Sequence, residues 1–137
     1  MTLAPSRNTL LFSLACLAVS GCSNKPPVKV EQLLKTSHSW EGTLYKTYPA
    51  GQPELTVLKI TLAPKTALDW HTHPMPNAAY VLSGQLLLET KSGHTLTLKA
   101  GQVLPEVVNI PHRGTSGDMP VELIVFYAGS AGMPLSK

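Results

Sequence analysis

Two histidines one residue apart are the clearest chemical feature of this sequence. His71 and His73 stand in residues 69–84 (DWHTHPMPNAAYVLSG), between two turn-forming stretches. In a β-strand, residues i and i+2 project from the same face, so the two imidazoles would point to a common position. Imidazole nitrogen is a frequent ligand of zinc, copper, iron and nickel. A third donor must come from elsewhere, and His112 is the best candidate, because it follows a turn and is predicted to begin a strand, as His71 is.

One carboxylate lies where the sequence is otherwise apolar. Glu106 belongs to residues 103–108 (VLPEVV), six residues before His112. A buried carboxylate without a partner is energetically costly. Glu106 therefore either points outward to water or has a partner inside the fold, such as a metal ion or an imidazolium, and the sequence leaves both orientations open. We treat Glu106 as a candidate metal ligand and a candidate catalytic general base.

Short apolar alternations, separated by Gly, Pro, Asn and Ser, run from about residue 40 onward and predict an all-β fold. Residues 85–90 and 95–99 flank a glycine-containing loop and predict a hairpin. Residues 28–36 fit either a strand or a short helix. Two further strands are predicted to have one apolar face each, formed by Leu58, Ile60 and Leu62 and by Val121, Leu123, Val125 and Tyr127. Seven or more short strands predict a sandwich or a small barrel, which can enclose one small ligand.

The spacing around the paired histidines resembles the first of two short motifs that define the cupins, a superfamily of small double-sheet β-barrels. That motif runs Gly, five residues, His-x-His, three or four residues, Glu, six residues, Gly. In this chain His71 and His73 are followed after three residues by Asn77 and after six more by Gly84. Lys65 stands in place of the leading Gly. The spacing is kept, whereas the Glu has become Asn.

The second cupin motif runs Gly, five residues, Pro-x-Gly, two residues, His, three residues, Asn. Gly101 and His112 fall at this spacing, while Val107, Asn109 and Ser116 replace the Pro, Gly and Asn. The exchange of Gly for Asn109 is mild, because Asn tolerates a positive φ better than most residues.

The resemblance covers roughly residues 40–128 and implies a double-stranded β-helix (jelly-roll) barrel that forms a homodimer. Carried over residue by residue, it also implies a metal site of His71, His73, Asn77 and His112 around Mn, Fe, Ni, Cu or Zn. An amide oxygen is a weaker ligand for these metals than a carboxylate, so Glu106 is a possible replacement for Asn77.

The start of the chain has the organisation of an export signal. Arg7 precedes an apolar run that ends in small residues before Cys22, which predicts a signal peptide over residues 1–21. Residues 19–22 (VSGC) resemble the lipobox of bacterial lipoproteins, which implies a lipid on Cys22 and a place on the periplasmic side of the cell envelope. A plain secretory peptide is the alternative, while an uncleaved anchor is disfavoured because the run is short for a bilayer.

These features divide the chain into four parts. After the signal peptide we expect a lipidated Cys22 with a tether over residues 22–36, a barrel over residues 37–128 and a C-terminal tail over residues 129–137. The mature chain would then hold no thiol pair for a disulfide. The formal net charge of +3 is a small lysine surplus spread along the chain, which argues against nucleic acid as a partner.

Two functions remain open from sequence, and a structural partner in an envelope complex is a weaker third. The first is a metalloenzyme that acts on a small molecule, since the cupins that this chain resembles include dioxygenases, isomerases and decarboxylases. The second is a non-catalytic barrel that binds or senses a small molecule, with or without metal. The Asn at the place of the motif Glu favours the second function, because that carboxylate helps to charge and orient the metal of the active cupins.

Overall fold

The computed structural model describes residues 27–137, which contain seven β-strands. The strands are β1 (Pro53–Leu62), β2 (Asn77–Ser83), β3 (Gln85–Thr90), β4 (Thr95–Lys99), β5 (Val103–Pro105), β6 (His112–Ser116) and β7 (Val121–Ser130). The predicted signal peptide and Cys22 lie outside the described residues. Residues 28–36 form neither a strand nor a helix. Within residues 27–137 there is no helix of the length and apolarity needed to cross a membrane.

The strands build two antiparallel sheets. One sheet has the order β1-β7-β2-β5 and the other has the order β4-β3-β6. Strands distant in the sequence therefore lie side by side, with β7 between β1 and β2 and with β6 beside β3. The all-β, jelly-roll class predicted from the sequence is confirmed.

Alternating side chains of the central strand β7 supply much of the core. Its four apolar residues predicted to share a face are all buried, and each pairs with an inward residue of β1 or β2. On the edge strand β1, the exposed fraction along the predicted apolar face increases from 2% at Leu62 to 36% at Leu58. The buried apolar cluster comprises Leu62, Met75, Ala79, Val81, Leu86, Leu88, Leu98, Leu104, Val121, Leu123, Val125 and Tyr127.

The strands that carry the second histidine motif follow the prediction closely. The hairpin of β3 and β4 has the predicted bounds, and His112 is the first residue of β6. The prediction that His71 begins a strand is wrong, because His71 makes only an isolated bridge, opposite His112. Pro74 and Pro76 follow within five residues and have no N–H to continue a ladder, so regular pairing resumes only at β2.

Backbone conformation explains three positions of the two histidine motifs. Lys65 and Asn109 stand where the motifs have Gly, and both adopt a positive φ, of 53° and 57°. Gly84 has φ 79°, and a Cβ at this position would overlap the carbonyl oxygen of Pro120. The chain thus keeps the glycine-like conformation at Lys65 and Asn109 without the glycine. A left-handed conformation costs a non-glycine residue about 1–2 kcal/mol.

We predict that Lys65→Gly raises the free energy of unfolding by about 0.5–1 kcal/mol, because relief of the left-handed strain exceeds the added entropy of the unfolded chain. Urea unfolding followed by circular dichroism measures the change. Lys46→Gly is the matched control, since Lys46 is exposed and its φ is not positive. An equal or larger gain from the control would contradict the strain argument.

Candidate metal centre

Three histidines from two distant stretches of the chain gather on one side of the barrel. One ring nitrogen from each of His71, His73 and His112 lies within 4.8 Å of the others. The ring centroids are 4.5–5.0 Å apart. His73 and His112 are buried, and His71 is half-buried. The backbones of His71 and His112 exchange two N–H···O hydrogen bonds of 3.0 Å, which bring the two motifs together.

Backbone carbonyls fix the tautomer of all three imidazoles. The Nδ1–H of His71 donates to the carbonyl of Asp69 at 2.7 Å, and that of His112 donates to the carbonyl of Ile110 at 2.8 Å. The Nδ1–H of His73 donates to the carbonyl of Leu135 at 2.7 Å. A carbonyl oxygen only accepts, so each Nδ1 carries the proton and each Nε2 keeps a free lone pair. This arrangement is typical of histidines that bind a metal through Nε2.

Burial keeps the two inner imidazoles neutral. It lowers the pKa of His73 to about 4, and it also lowers the pKa of His112 below its ordinary value. Removal from water penalises the charged form of an imidazole. At neutral pH these two rings therefore need lose no proton to coordinate a cation.

Glu106 points into the fold beside His112. It directly follows β5 and is 7% exposed, and its Oε2 lies 3.3 Å from Nε2 of His112. Burial raises the pKa of Glu106 to about 8. Of the two orientations that the sequence left open, the structure has the inward one. Glu106 does not belong to the set of three mutually close ligand groups, so it stands next to that set.

Asn77 also lies on the inward side, at the start of β2. Its side-chain Nδ2 donates to the carbonyl of Met75 at 3.3 Å, whereas its Oδ1 has no hydrogen-bond partner. The backbone N–H of Glu106 donates to the carbonyl of Asn77 at 3.0 Å, so the two residues are cross-strand neighbours. Glu106 therefore lies directly across from position 77, which is where the cupin motif has Glu.

Unsatisfied polar atoms concentrate at this site. Within residues 27–137, four buried side-chain atoms lack a hydrogen-bond partner, and three of them are Asn77 Oδ1, Glu106 Oε2 and His112 Nε2. The fourth is Nε1 of Trp40. Buried polar groups in folded proteins are nearly always satisfied, so unsatisfied atoms of this kind point to a bound ion, water or ligand. Asn77 Oδ1 and His112 Nε2 are acceptors, and Glu106 Oε2 is an acceptor in its ionised form, so a cation would complement all three atoms.

The donor chemistry fits a transition metal. Imidazole nitrogen with carboxylate suits Zn, Cu, Fe, Ni or Mn, whereas Mg and Ca prefer a shell of oxygens. The two remaining histidines, His38 and His94, are exposed. Two surface clefts of about 620 Å³ and about 560 Å³ flank residues 45–48, and none of the three clustered histidines lines either of them.

Comparison with known proteins agrees with the fold. The family model described as a cupin domain matches residues 58–127, which include both histidine motifs. The chain belongs to the cupin family. Among proteins with curated descriptions, none matches its sequence.

Solved structures extend the comparison. This cupin is similar, at 25% identity and a TM-score of 0.54, to a chain from crystal structures of the DMSP lyases RdDddP and RnDddQII, and the match covers 61% of this chain and 43% of that one. A DMSP lyase from Ruegeria pomeroyi has 18% identity and a TM-score of 0.53, over 58% of this chain and 41% of that one. A cupin-like protein from Thermotoga maritima has 17% identity and a TM-score of 0.53, over 61% and 62% of the two chains. This chain thus spans less than two thirds of each of these structures.

One feature of the site has no signal in the sequence of this cupin. The carbonyl that holds His73 belongs to Leu135, in the segment expected to be a C-terminal tail. Residues 129 and 130 belong to β7, and Met133 and Leu135 pack against the core. A backbone acceptor is independent of residue type, so neither motif nor composition could have revealed this contact.

We predict that the three clustered histidines have the Nδ1–H tautomer in the metal-free protein at pH 8. Long-range ¹H–¹⁵N correlation spectra distinguish the two tautomers directly. His38 and His94 serve as internal references, because the hydroxyl groups beside their Nδ1 atoms can donate or accept. An Nε2–H tautomer at His71, His73 or His112 would refute the assignment of the free lone pairs.

Proposed function

We propose that this cupin is a metal-dependent protein of the bacterial envelope that acts on a small molecule. In this proposal His71, His73 and His112 hold a divalent transition metal, which is Fe, Mn, Ni, Cu or Zn. The observation that carries the proposal is the shared orientation of the three imidazoles. Each has its Nδ1–H held by a backbone carbonyl, which leaves the Nε2 lone pair free, and one ring nitrogen of each lies within 4.8 Å of the others.

Glu106 takes over the role of the carboxylate that the cupin motif would place at position 77. Three facts support this: Glu106 is cross-strand to Asn77, its Oε2 is 3.3 Å from His112 Nε2, and that oxygen has no hydrogen-bond partner. In this position the carboxylate can add a negative charge to the donor set. It can also hold or transfer a proton at Oε2, because the raised pKa of about 8 lies close to neutral pH.

The resulting chemistry is that of a small metalloenzyme, of the oxidoreductase or isomerase type. A metal bound by three histidines has further coordination positions and supplies Lewis acidity or redox chemistry. The chain itself contributes the oriented imidazoles, the proton-transferring Glu106 and an apolar interior that excludes water. The likeness to proteins named as DMSP lyases supports turnover of a small molecule.

A non-catalytic barrel that binds or senses a small molecule is the second candidate. The observation in its favour is Asn77, whose neutral amide stands where the cupin motif has Glu. The unpartnered Oδ1 of Asn77 could accept a hydrogen bond from a bound molecule. The two candidate functions differ in whether the carboxylate of Glu106 contributes to a metal site. Substitution of Glu106 distinguishes them.

We predict that the protein, purified without chelator or affinity tag, contains about one equivalent of a transition metal. His71→Ala should lose most of it, because one of three donors is removed. Inductively coupled plasma mass spectrometry gives the metal content and identity together. His94→Ala is the matched control, since His94 is exposed and outside the cluster. Equal metal content in His71→Ala and His94→Ala would defeat the site.

We further predict that Glu106→Gln weakens metal binding about 10- to 100-fold, since an amide replaces the carboxylate at nearly the same volume. The double variant Asn77→Glu with Glu106→Gln should regain most of the loss, because it returns the carboxylate to the cross-strand position. Competition with a chelator of known affinity measures both constants. If Glu106→Gln binds metal as tightly as the unaltered chain, the carboxylate has no part in the site and the binding module becomes the better account.

The place in the envelope rests on the sequence of residues 1–22. A lipid on Cys22 would anchor the barrel to the membrane through the polar, proline-containing residues 23–27 (SNKPP). We predict that Cys22→Ser moves the protein from the membrane fraction to the soluble fraction, as measured by immunoblotting after fractionation. Membrane association that persists in Cys22→Ser would contradict lipidation at this residue.

A further inference from the structure

We propose that residues 131–137, here named the clasp, position His73 and thereby set the strength of the metal site. The proposal rests on the proposed function in one respect, because it takes His73 to be a metal donor. It adds a new element, since the clasp lies outside both cupin motifs and beyond the matched residues 58–127.

The three histidines differ in where their carbonyl partners come from. His71 and His112 each use a carbonyl two residues earlier in the chain, at Asp69 and Ile110. His73 uses the carbonyl of Leu135, 62 residues away. The first two rings are therefore oriented by their own local backbone. The orientation of His73 depends on whether the clasp is in place.

Several contacts hold the clasp on the barrel. The backbones of Lys137 and Thr72 exchange two N–H···O hydrogen bonds of 3.0 Å, directly beside His73. At the other end, the N–H of Ala131 donates to the carbonyl of Gln52 at 3.1 Å. Between these ends Met133 and Leu135 are partly buried against the core. The clasp is thus an irregular segment that is held to the barrel by backbone hydrogen bonds at both ends.

Release of the clasp has a specific chemical consequence. Without the Leu135 carbonyl, the His73 ring can rotate and exchange tautomers, so its Nε2 lone pair is no longer held toward the other two. Loss of such a hydrogen-bond partner typically weakens metal binding 10- to 100-fold. His71 and His112 keep their local carbonyls, so the change is confined to one donor of the three.

The test compares the full chain with a chain that ends after Gly132, which lacks the part of the clasp that contacts Thr72 and His73, and measures the affinity for Zn²⁺ by chelator competition. We expect about 10- to 100-fold weaker binding in the shortened chain. Two single substitutions provide a test that does not depend on the folding of the shortened chain. Lys137→Pro removes the N–H that donates to Thr72 and should weaken binding about 2- to 10-fold. Lys137→Ala keeps that N–H and should bind like the unaltered chain.

A second readout separates positioning from general stability. In ¹H–¹⁵N spectra of the metal-free chains, shortening should remove the fixed Nδ1–H tautomer of His73 and leave those of His71 and His112 unchanged. If the shortened chain does not fold, the same spectra and Zn²⁺ affinities are compared between Lys137→Pro and Lys137→Ala. Equal results for these two variants would then overturn the positioning role of the clasp.

The outcomes distinguish the clasp from the proposed function. Equal Zn²⁺ affinity of the full and shortened chains would contradict the proposed role of the clasp and leave the proposed metal site unaffected. Absence of binding of Zn²⁺ and of the other four candidate metals in the full chain would overturn the metal function. In that case the spectra still test the clasp, because an unchanged His73 tautomer in the shortened chain would mean that the clasp does not position His73.

Discussion

The site depends on a hydrogen bond that each clustered imidazole donates to the protein backbone. Three rings with free χ2 rotation could present either nitrogen to the interior. The carbonyls of Asp69, Ile110 and Leu135 remove that freedom and leave Nε2 as the free atom on each ring. A bound cation would then meet donors that are already oriented. Little ordering entropy would remain to oppose its binding.

The topology of the barrel brings the two histidine motifs and Glu106 together. The backbone bridge between His71 and His112 joins the loop before β2 to the start of β6. The same sheet order places β5 beside β2, which sets Glu106 opposite Asn77. In the proposed metal site, Glu106 could therefore supply the carboxylate that the cupin motif has at position 77, without a change of fold. Cross-strand neighbours are close enough for such an exchange, because adjacent strands lie about 4.8 Å apart.

Much of this arrangement follows from residue types, and the rest does not. Alternation predicted the β3–β4 hairpin and the buried face of β7, and the tolerance of Asn for a positive φ was confirmed at Asn109. The expected strand at His71 was wrong, since nearby prolines interrupt the ladder. The direction of Glu106 was left open by the sequence, because residues 103–108 are apolar on both faces of the expected strand and do not indicate which face is inward. The contact of the Leu135 carbonyl with His73 could not be predicted, since every residue has a backbone carbonyl.

The most direct test of this account is an anomalous-scattering crystal structure of the protein loaded with the metal found in it. The account predicts one anomalous peak about 2.0–2.3 Å from Nε2 of His71, His73 and His112, with each Nδ1 still facing its carbonyl. A peak at another place, or coordination through Nδ1 of any of the three, would contradict it.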